Sequence, residues 1–268
     1  MNLYFECNSG ISGDMSVAAL LDLGADRKKL DIALESMKLD NEFTYKISKV
    51  NINSIQATDF NVILPEYHHN EERHNHNKNH NHTCTQNEYE NQNYNHHHHE
   101  HRNLEDVKKI IDKAQMSDSA KKLAKKIFEI IAQAEAKVHG KDISQIHFHE
   151  TGAVDSIADI VSFAVLFDDL AVDKVYFSPL TEGRGFIECQ HGTLSVPVPA
   201  VCEIAARYHL PLKLTDNEGE MVTPTGAAIA AALYTGEKLP DEIIIQKIGY
   251  GAGKRKYKAP VLRVMIIN

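Results

Sequence analysis

Residues 3–24 read LYFECNSGISGDMSVAALLDLG, and the architecture follows from how this stretch is parsed. Leu3-Tyr4-Phe5 is a short apolar run that predicts a strand. A turn of small residues, Cys7 to Gly13, comes next. Met15 to Leu23 then carries the apolar spacing of a helix, which Gly24 ends. A strand leading through a glycine turn into a helix opens an α/β arrangement. Small residues in such a turn let backbone N–H groups approach an anion, and a helix N-terminus favours negative charge. Ser9, Gly10, Ser12 and Gly13 are therefore candidate substrate-binding residues. Asp14, in the first helical turn, is a candidate catalytic carboxylate or a holder of a cation. A tight turn capped by Ser12 and Asp14 accounts for the same residues.

Working outward, residues 28–38 predict a second helix, and Thr44–Val50 and Thr58–Leu64 alternate as strands. Leu104–Ala114 and Ser119–Val138 are amphipathic, with Ser117 and Asp118 as caps. Ile146–His149 and Lys174–Phe177 read as strands around a helix at Val154–Leu170. Ala200–Tyr208 and Ala227–Tyr234 read as helices, and Ile243–Ile248 and Val261–Ile267 as closing β-branched strands. Strands alternating with helices predict an α/β to mixed α+β fold. One folded domain, in one body or two lobes, is expected over residues 1–65 and 103–268.

Between these parts the composition breaks. From residue 66 to residue 102, Asn and His dominate and aliphatic residues nearly vanish, so the segment cannot bury enough surface to offset its ordering entropy. A disordered insertion is expected. Eleven of the sixteen histidines fall here: His68, His69, His74, His76, His80, His82, His96, His97, His98, His99 and His101. Neutral imidazole suits Ni, Cu and Zn, so this density predicts a metal reservoir, with a solvated spacer as the bland alternative. Composition does not choose among the metals.

The whole chain of 268 residues carries a formal charge of -8, which argues against a nucleic-acid partner. The one short basic run is Lys254, Arg255, Lys256 and Lys258. No apolar run approaches the ~20 residues of a membrane helix, and Met1 to Glu6 lacks the features of a signal peptide. Cys7, Cys84, Cys189 and Cys202 form no CxxC pair, so reduced thiols in a cytoplasm are expected, with no membrane partner.

The densest chemistry lies at His147-Phe-His-Glu-Thr-Gly-Ala-Val-Asp-Ser-Ile-Ala-Asp159. On a strand His147 and His149 share a face, and on a helix Asp155 and Asp159 share one at i and i+4. Glu150 stands at the junction. Such a set can hold a divalent ion or supply acid–base groups, His149 and Glu150 being the catalytic candidates. Ordinary core and capping roles are the alternative. Thr223-Pro-Thr-Gly226 leads into a small-residue helix, making Thr223, Thr225 and Gly226 substrate-binding candidates, or Thr225 a plain N-cap. Gly249-Tyr-Gly-Ala-Gly253 is expected to end a strand, as a phosphate-facing turn or a bulged hairpin. It lacks the helix of a dinucleotide fingerprint. Arg184 and His191 could add an anion-binding guanidinium and a further imidazole.

Taken in order, several segments resemble the LarC nickel-insertion family. They are Ser9-Gly-Ile-Ser-Gly-Asp-Met15, His147-Phe-His-Glu150, Gly152-Ala-Val-Asp-Ser156, Gly183-Arg-Gly-Phe186, His191-Gly-Thr-Leu194 with Pro197-Val-Pro199, Val222-Thr-Pro-Thr-Gly-Ala227 and Lys247-Ile-Gly-Tyr-Gly-Ala-Gly253. An internal His-rich loop is also a habit of the family. The resemblance implies a nickel insertase that places nickel into pyridinium-3,5-bisthiocarboxylic acid mononucleotide, requires CTP, and matures the nickel-pincer cofactor of lactate racemase-type enzymes. Glu6 stands where the family usually carries Asp. Longer members continue into a C-terminal domain associated with CTP, so a separate C-terminal component is an expected partner, as is a second copy of the chain. The competing readings are a nonenzymatic nickel store or metallochaperone, and a phosphate-site hydrolase.

Overall fold

The structure, a computed structural model, describes residues 1–39, 41–65, 102–148, 154–189, 192–254 and 260–268. In chain order the elements are β1 (Asn2–Glu6), α1 (Gly13–Asp22), α2 (Arg27–Ser36), β2 (Thr44–Ile52), β3 (Ile55–Ile63), β4 (Arg102–Asn103), α3 (Leu104–Lys113), α4 (Asp118–His139), β5 (His147–Phe148) and α5 (Val154–Asp169). They continue as β6 (Lys174–Phe177), β7 (Leu180–Arg184), β8 (Phe186–Cys189), β9 (Gly192–Ser195), α6 (Pro199–Tyr208), β10 (Leu212–Glu218), α7 (Pro224–Leu233), β11 (Ile245–Ala252) and β12 (Val261–Ile267). The mixed α/β expectation holds.

A six-stranded sheet in the order β2-β3-β11-β12-β1-β6 forms the base. β1 runs parallel to β6 and antiparallel to β12. Alternation along β1 sends Leu3 and Phe5 into the main core, while Tyr4 packs on the other face beside Tyr176, Met265 and Ile267. α1 lies on β11 and β3 and against α5, and α4 spans α5, α6 and α7. α7 is rich in alanine and buried from Thr225 to Ala232, so neighbouring helices can approach it closely. Ser117 caps α4 by accepting from the Ala120 N–H, and Gly140 closes it in the left-handed conformation.

Asp22 ties α1 to the sheet. It is ion-paired with Lys49 and accepts from the Thr58 hydroxyl (2.8 Å) and the Tyr250 N–H (2.9 Å). Burial pushes its pKa up, but these donors outweigh burial and hold it below the ordinary carboxylate value.

The structure revises several boundaries. β11 runs through Gly249 and Gly251, so the glycine run is strand interior where a turn ending the strand was expected. A Cβ on Gly251 would overlap the Met15 carbonyl, and one on Gly249 the Ala19 carbonyl. The glycines are there because α1 rests directly on this strand. α7 begins at Pro224, with Thr223 as N-cap instead of Thr225. Arg102, placed in the insertion by composition, begins β4, is buried, and pairs with Glu42 at 2.5 Å. The short strands β7, β8, β9 and β10 were not anticipated.

Gly251→Ala should cost about 3 kcal/mol, since the methyl meets backbone that cannot yield. A urea unfolding midpoint within error of the unaltered protein would contradict the close-approach explanation.

Candidate functional site

Two loops from opposite ends of the chain meet here. The Ile11 N–H donates to the Met221 carbonyl (3.0 Å), and the Thr223 N–H donates back to the Ile11 carbonyl (3.1 Å). Glycines let the segments close. A Cβ on Gly10 would strike the Met221 carbonyl, and one on Gly226 the Ile11 carbonyl. A Cβ on Gly13 would strike the carboxylate of Asp159 and the methyl of Thr225. Beneath the junction, Glu182 of β7 is wholly buried and accepts from the N–H groups of Gly183 (2.8 Å), Met221 (2.6 Å) and Val222 (3.2 Å). Charge-assisted bonds of this kind are the strong ones, and they set the entry into α7.

The result is a cavity of about 650 Å³, the size of a small-ligand site. The first turns of α1, α5, α6 and α7 all line it, as do the β8–β9 ribbon, the last turn of α4, Val62, Gly253 and Lys254. Four helix N-termini bring partial positive charge to one space. Six acidic residues are among those lining the same space, Asp14, Asp155 and Asp159 with Glu135, Glu188 and Glu220. Asp14 accepts from the Ser12 hydroxyl and from the Met15 N–H (2.9 Å), and Lys254 Nζ stands 3.4 Å from it. Asp155 accepts from the Ser156 N–H at 2.8 Å. Burial drives the Asp159 pKa well above the ordinary value, and the charges of Asp14 and Asp155 add to this against the weaker pull of Lys254. Burial likewise raises Asp155. The cavity thus pairs anion-attracting backbone with proton-holding and cation-attracting side chains.

Of the residues singled out from sequence, Ser12, Gly13, Asp14, Asp155, Asp159, Thr223 and Thr225 come together around this cavity. Ser9, Gly10 and Gly226 are not among its lining residues, although Gly10 and Gly226 shape the wall through the contacts above. Arg184 also lies off the lining, held by Asp216 (2.8 Å) and Glu218 (3.8 Å). The backbone of His147 lies in β5; its side chain, His149, Glu150, His191 and the histidines from His68 to His101 fall outside the described residues. Among the described residues, no three His, Cys, Asp or Glu side chains are grouped so as to hold a metal ion. Sequence reasoning missed the buried Glu182, the pairing of Lys254 with Asp14, and the ribbon wall. A lone Glu has no local signature, and only the register of β8 with β9 reveals the wall.

Residues 3–268 match the family described as nickel insertion protein. The chain belongs to that family. It is 48% identical to the pyridinium-3,5-bisthiocarboxylic acid mononucleotide nickel insertion protein of Alkaliphilus metalliredigens, over 99% of this chain and 60% of the relative. The protein of the same description from Acetivibrio thermocellus is 47% identical over 95% of this chain and 57% of its own length. That from Clostridium kluyveri is 42% identical over 98% and 61%. The chain therefore spans about three-fifths of the length of these relatives. No solved structure matches it. Among the described residues, no helix is long and apolar enough to cross a membrane.

The raised Asp159 pKa makes a stability prediction. As pH rises above the ordinary carboxylate value, the unfolded chain loses this proton before the folded one, so folding is progressively penalised until the folded group also ionises. Asp159→Asn removes that penalty and can keep the bond from the Asp14 N–H. It should raise the melting temperature at pH 8 and leave it unchanged near pH 3. Thermal melts across that range that show no pH-dependent gap would contradict the assignment.

Proposed function

We propose that this chain carries out nickel insertion into pyridinium-3,5-bisthiocarboxylic acid mononucleotide, acting as a nickel insertase in cofactor biosynthesis. The observation that carries the reading is the cavity, where helix N-termini and carboxylates line one space in a chain 48% identical to a relative named for this substrate. Nickel is a substrate here.

The first turns of α1 and α7, with Ser12, Gly13, Thr223 and Thr225, receive the anionic groups of the mononucleotide. Asp14 and Asp155, with His149 and Glu150, hold the incoming Ni²⁺. His147 and the insertion's histidines supply the metal by lending it to progressively softer ligands. Imidazole suits nickel, yet sulfur of the substrate should outcompete it, so transfer runs downhill. Forming a nickel–carbon bond at the ring releases the proton of that carbon. Asp159 in its ionised form, buried beside Asp14 and Asp155, accepts it, with Asp14 able to pass it on to solvent. CTP belongs to the proposal as a co-substrate held by the portion of the longer relatives that this chain does not span. A cytoplasmic location and a separate C-terminal component complete it.

The test is to incubate the chain with Ni²⁺, CTP and the dithiolated mononucleotide, with and without a C-terminal component, and weigh the product by mass spectrometry. A product heavier by nickel less the displaced protons is expected. Asp159→Asn should slow insertion by about 100-fold or more, and Asp159→Glu less. Deleting residues 66–101 should leave insertion at saturating nickel and raise the nickel concentration needed. If that deletion abolishes every nickel-dependent property and the intact chain makes no product, the chain is a metal store.

A further inference from the structure

We infer that the β8–β9 ribbon is the seat for the flat aromatic ring of the substrate, with Ile187 and Leu194 as the residues that make the site prefer a ring-bearing ligand. The inference rests on the proposed reaction and names the part of the cavity that recognises its substrate class. Ile187 and Leu194 are register partners across the ribbon. Cross-strand partners place their side chains side by side on one face, about 5 Å apart, so together they present a small, level apolar surface. Both line the cavity. Alternation puts Phe186, 72% exposed, on the other face, with Glu188, which is bonded to the Thr193 hydroxyl opposite it and also borders the cavity.

Folding alone does not explain that inner surface. A two-stranded ribbon is marginal in water and must rest on something. Ile187 and Leu194 do rest partly on the main core, yet both remain only half-buried and turn the rest of their surface to the cavity. The other walls carry helix N-termini with Asp14, Asp155 and Asp159, and their apolar residues Met15, Val198, Ala200 and Met221 are buried, with little surface to offer a ligand. A mononucleotide built on a pyridinium ring carries one broad surface without hydrogen-bonding groups, the two flat faces of that ring. The ribbon offers those faces a contiguous aliphatic platform, whereas Val62 and Val138 lie on separate elements. Covering a ring face removes apolar area from water and orients the ring edge toward the carboxylates.

Two measurements on the intact chain test this. In methyl-labelled protein, ring protons of the pyridinium bisthiocarboxylate mononucleotide should show cross-relaxation to the Ile187 and Leu194 methyls. By calorimetry, Ile187→Ala and Leu194→Ala should each weaken that ligand about tenfold while leaving ribose 5-phosphate, which has no aromatic ring, unchanged. Leu194→Met should restore most of the affinity. Equal losses for both ligands, unaltered affinity in both variants, or cross-relaxation to methyls elsewhere would overturn the inference. An unaltered protein that binds ribose 5-phosphate with no preference for the ring-bearing ligand sinks this inference alone. One that binds neither ligand sinks the proposed reaction with it.

Discussion

The structure hangs on the pair of hydrogen bonds by which Ile11 is clasped between Met221 and Thr223. They join segments more than two hundred positions apart, and through them the first turns of α1 and α7 share one cavity. Such long-range closure pays a loop-entropy cost that local contacts avoid, so it needs unusually close fit to persist. Gly10, Gly13 and Gly226 provide that fit, because at each position a side chain would collide with the facing backbone or with Asp159. Glu182 adds three N–H bonds from below. The clasp lies outside the six-stranded sheet, so it sets the spacing of the helix ends and not the strand order. The cavity is therefore a product of loop closure more than of sheet topology.

Close packing also explains the electrostatic strain at the centre. Asp159 is pressed against Gly13 and shares its surroundings with Asp14 and Asp155. A protein selected only for stability would replace a carboxylate whose ionisation burial opposes so strongly. Four helix N-termini and the Lys254 ammonium soften that penalty but do not remove it. Retaining three acids in this position makes sense where a cation or a proton passes through, which is the tension expected between folding and chemistry at a working site.

Much of the layout was legible in the amino-acid order because it is written in local periodicity. Leu3 and Phe5 mark β1, the apolar spacing of residues 119–138 marks α4, and β-branched residues mark β12. The acids at 155 and 159 were legible for the same reason, since helical spacing alone puts them on one face. What local pattern cannot encode is a partner across space. Gly249 and Gly251 look like a turn when read singly, and only the presence of α1 above them shows why a strand contains them. Glu182 is silent for a related reason. A buried carboxylate serving backbone N–H groups 39 and 40 positions away leaves no mark in its own neighbourhood. The strands around it are only four to seven residues long, too short for a periodic signal to stand out, so they too escaped notice.

The same geometry resolves an apparent conflict in reading the sequence, where glycine turns argued for an anion and carboxylates for a metal. In one cavity these are complementary demands. Helix N-termini without an anion leave an excess of positive potential, and carboxylates without a cation leave the opposite. Under the proposed reaction, the mononucleotide's negative groups and Ni²⁺ neutralise each other's surroundings as well as their own. Each should therefore bind more tightly when the other is present, and by linkage the enhancement is mutual. An ion held firmly only in the company of its acceptor is safely carried: nickel alone is released to the histidines, and nickel beside the substrate is kept long enough to be captured by sulfur. That coupling needs the two kinds of wall to face a common space, which is what the clasp on Ile11 enforces.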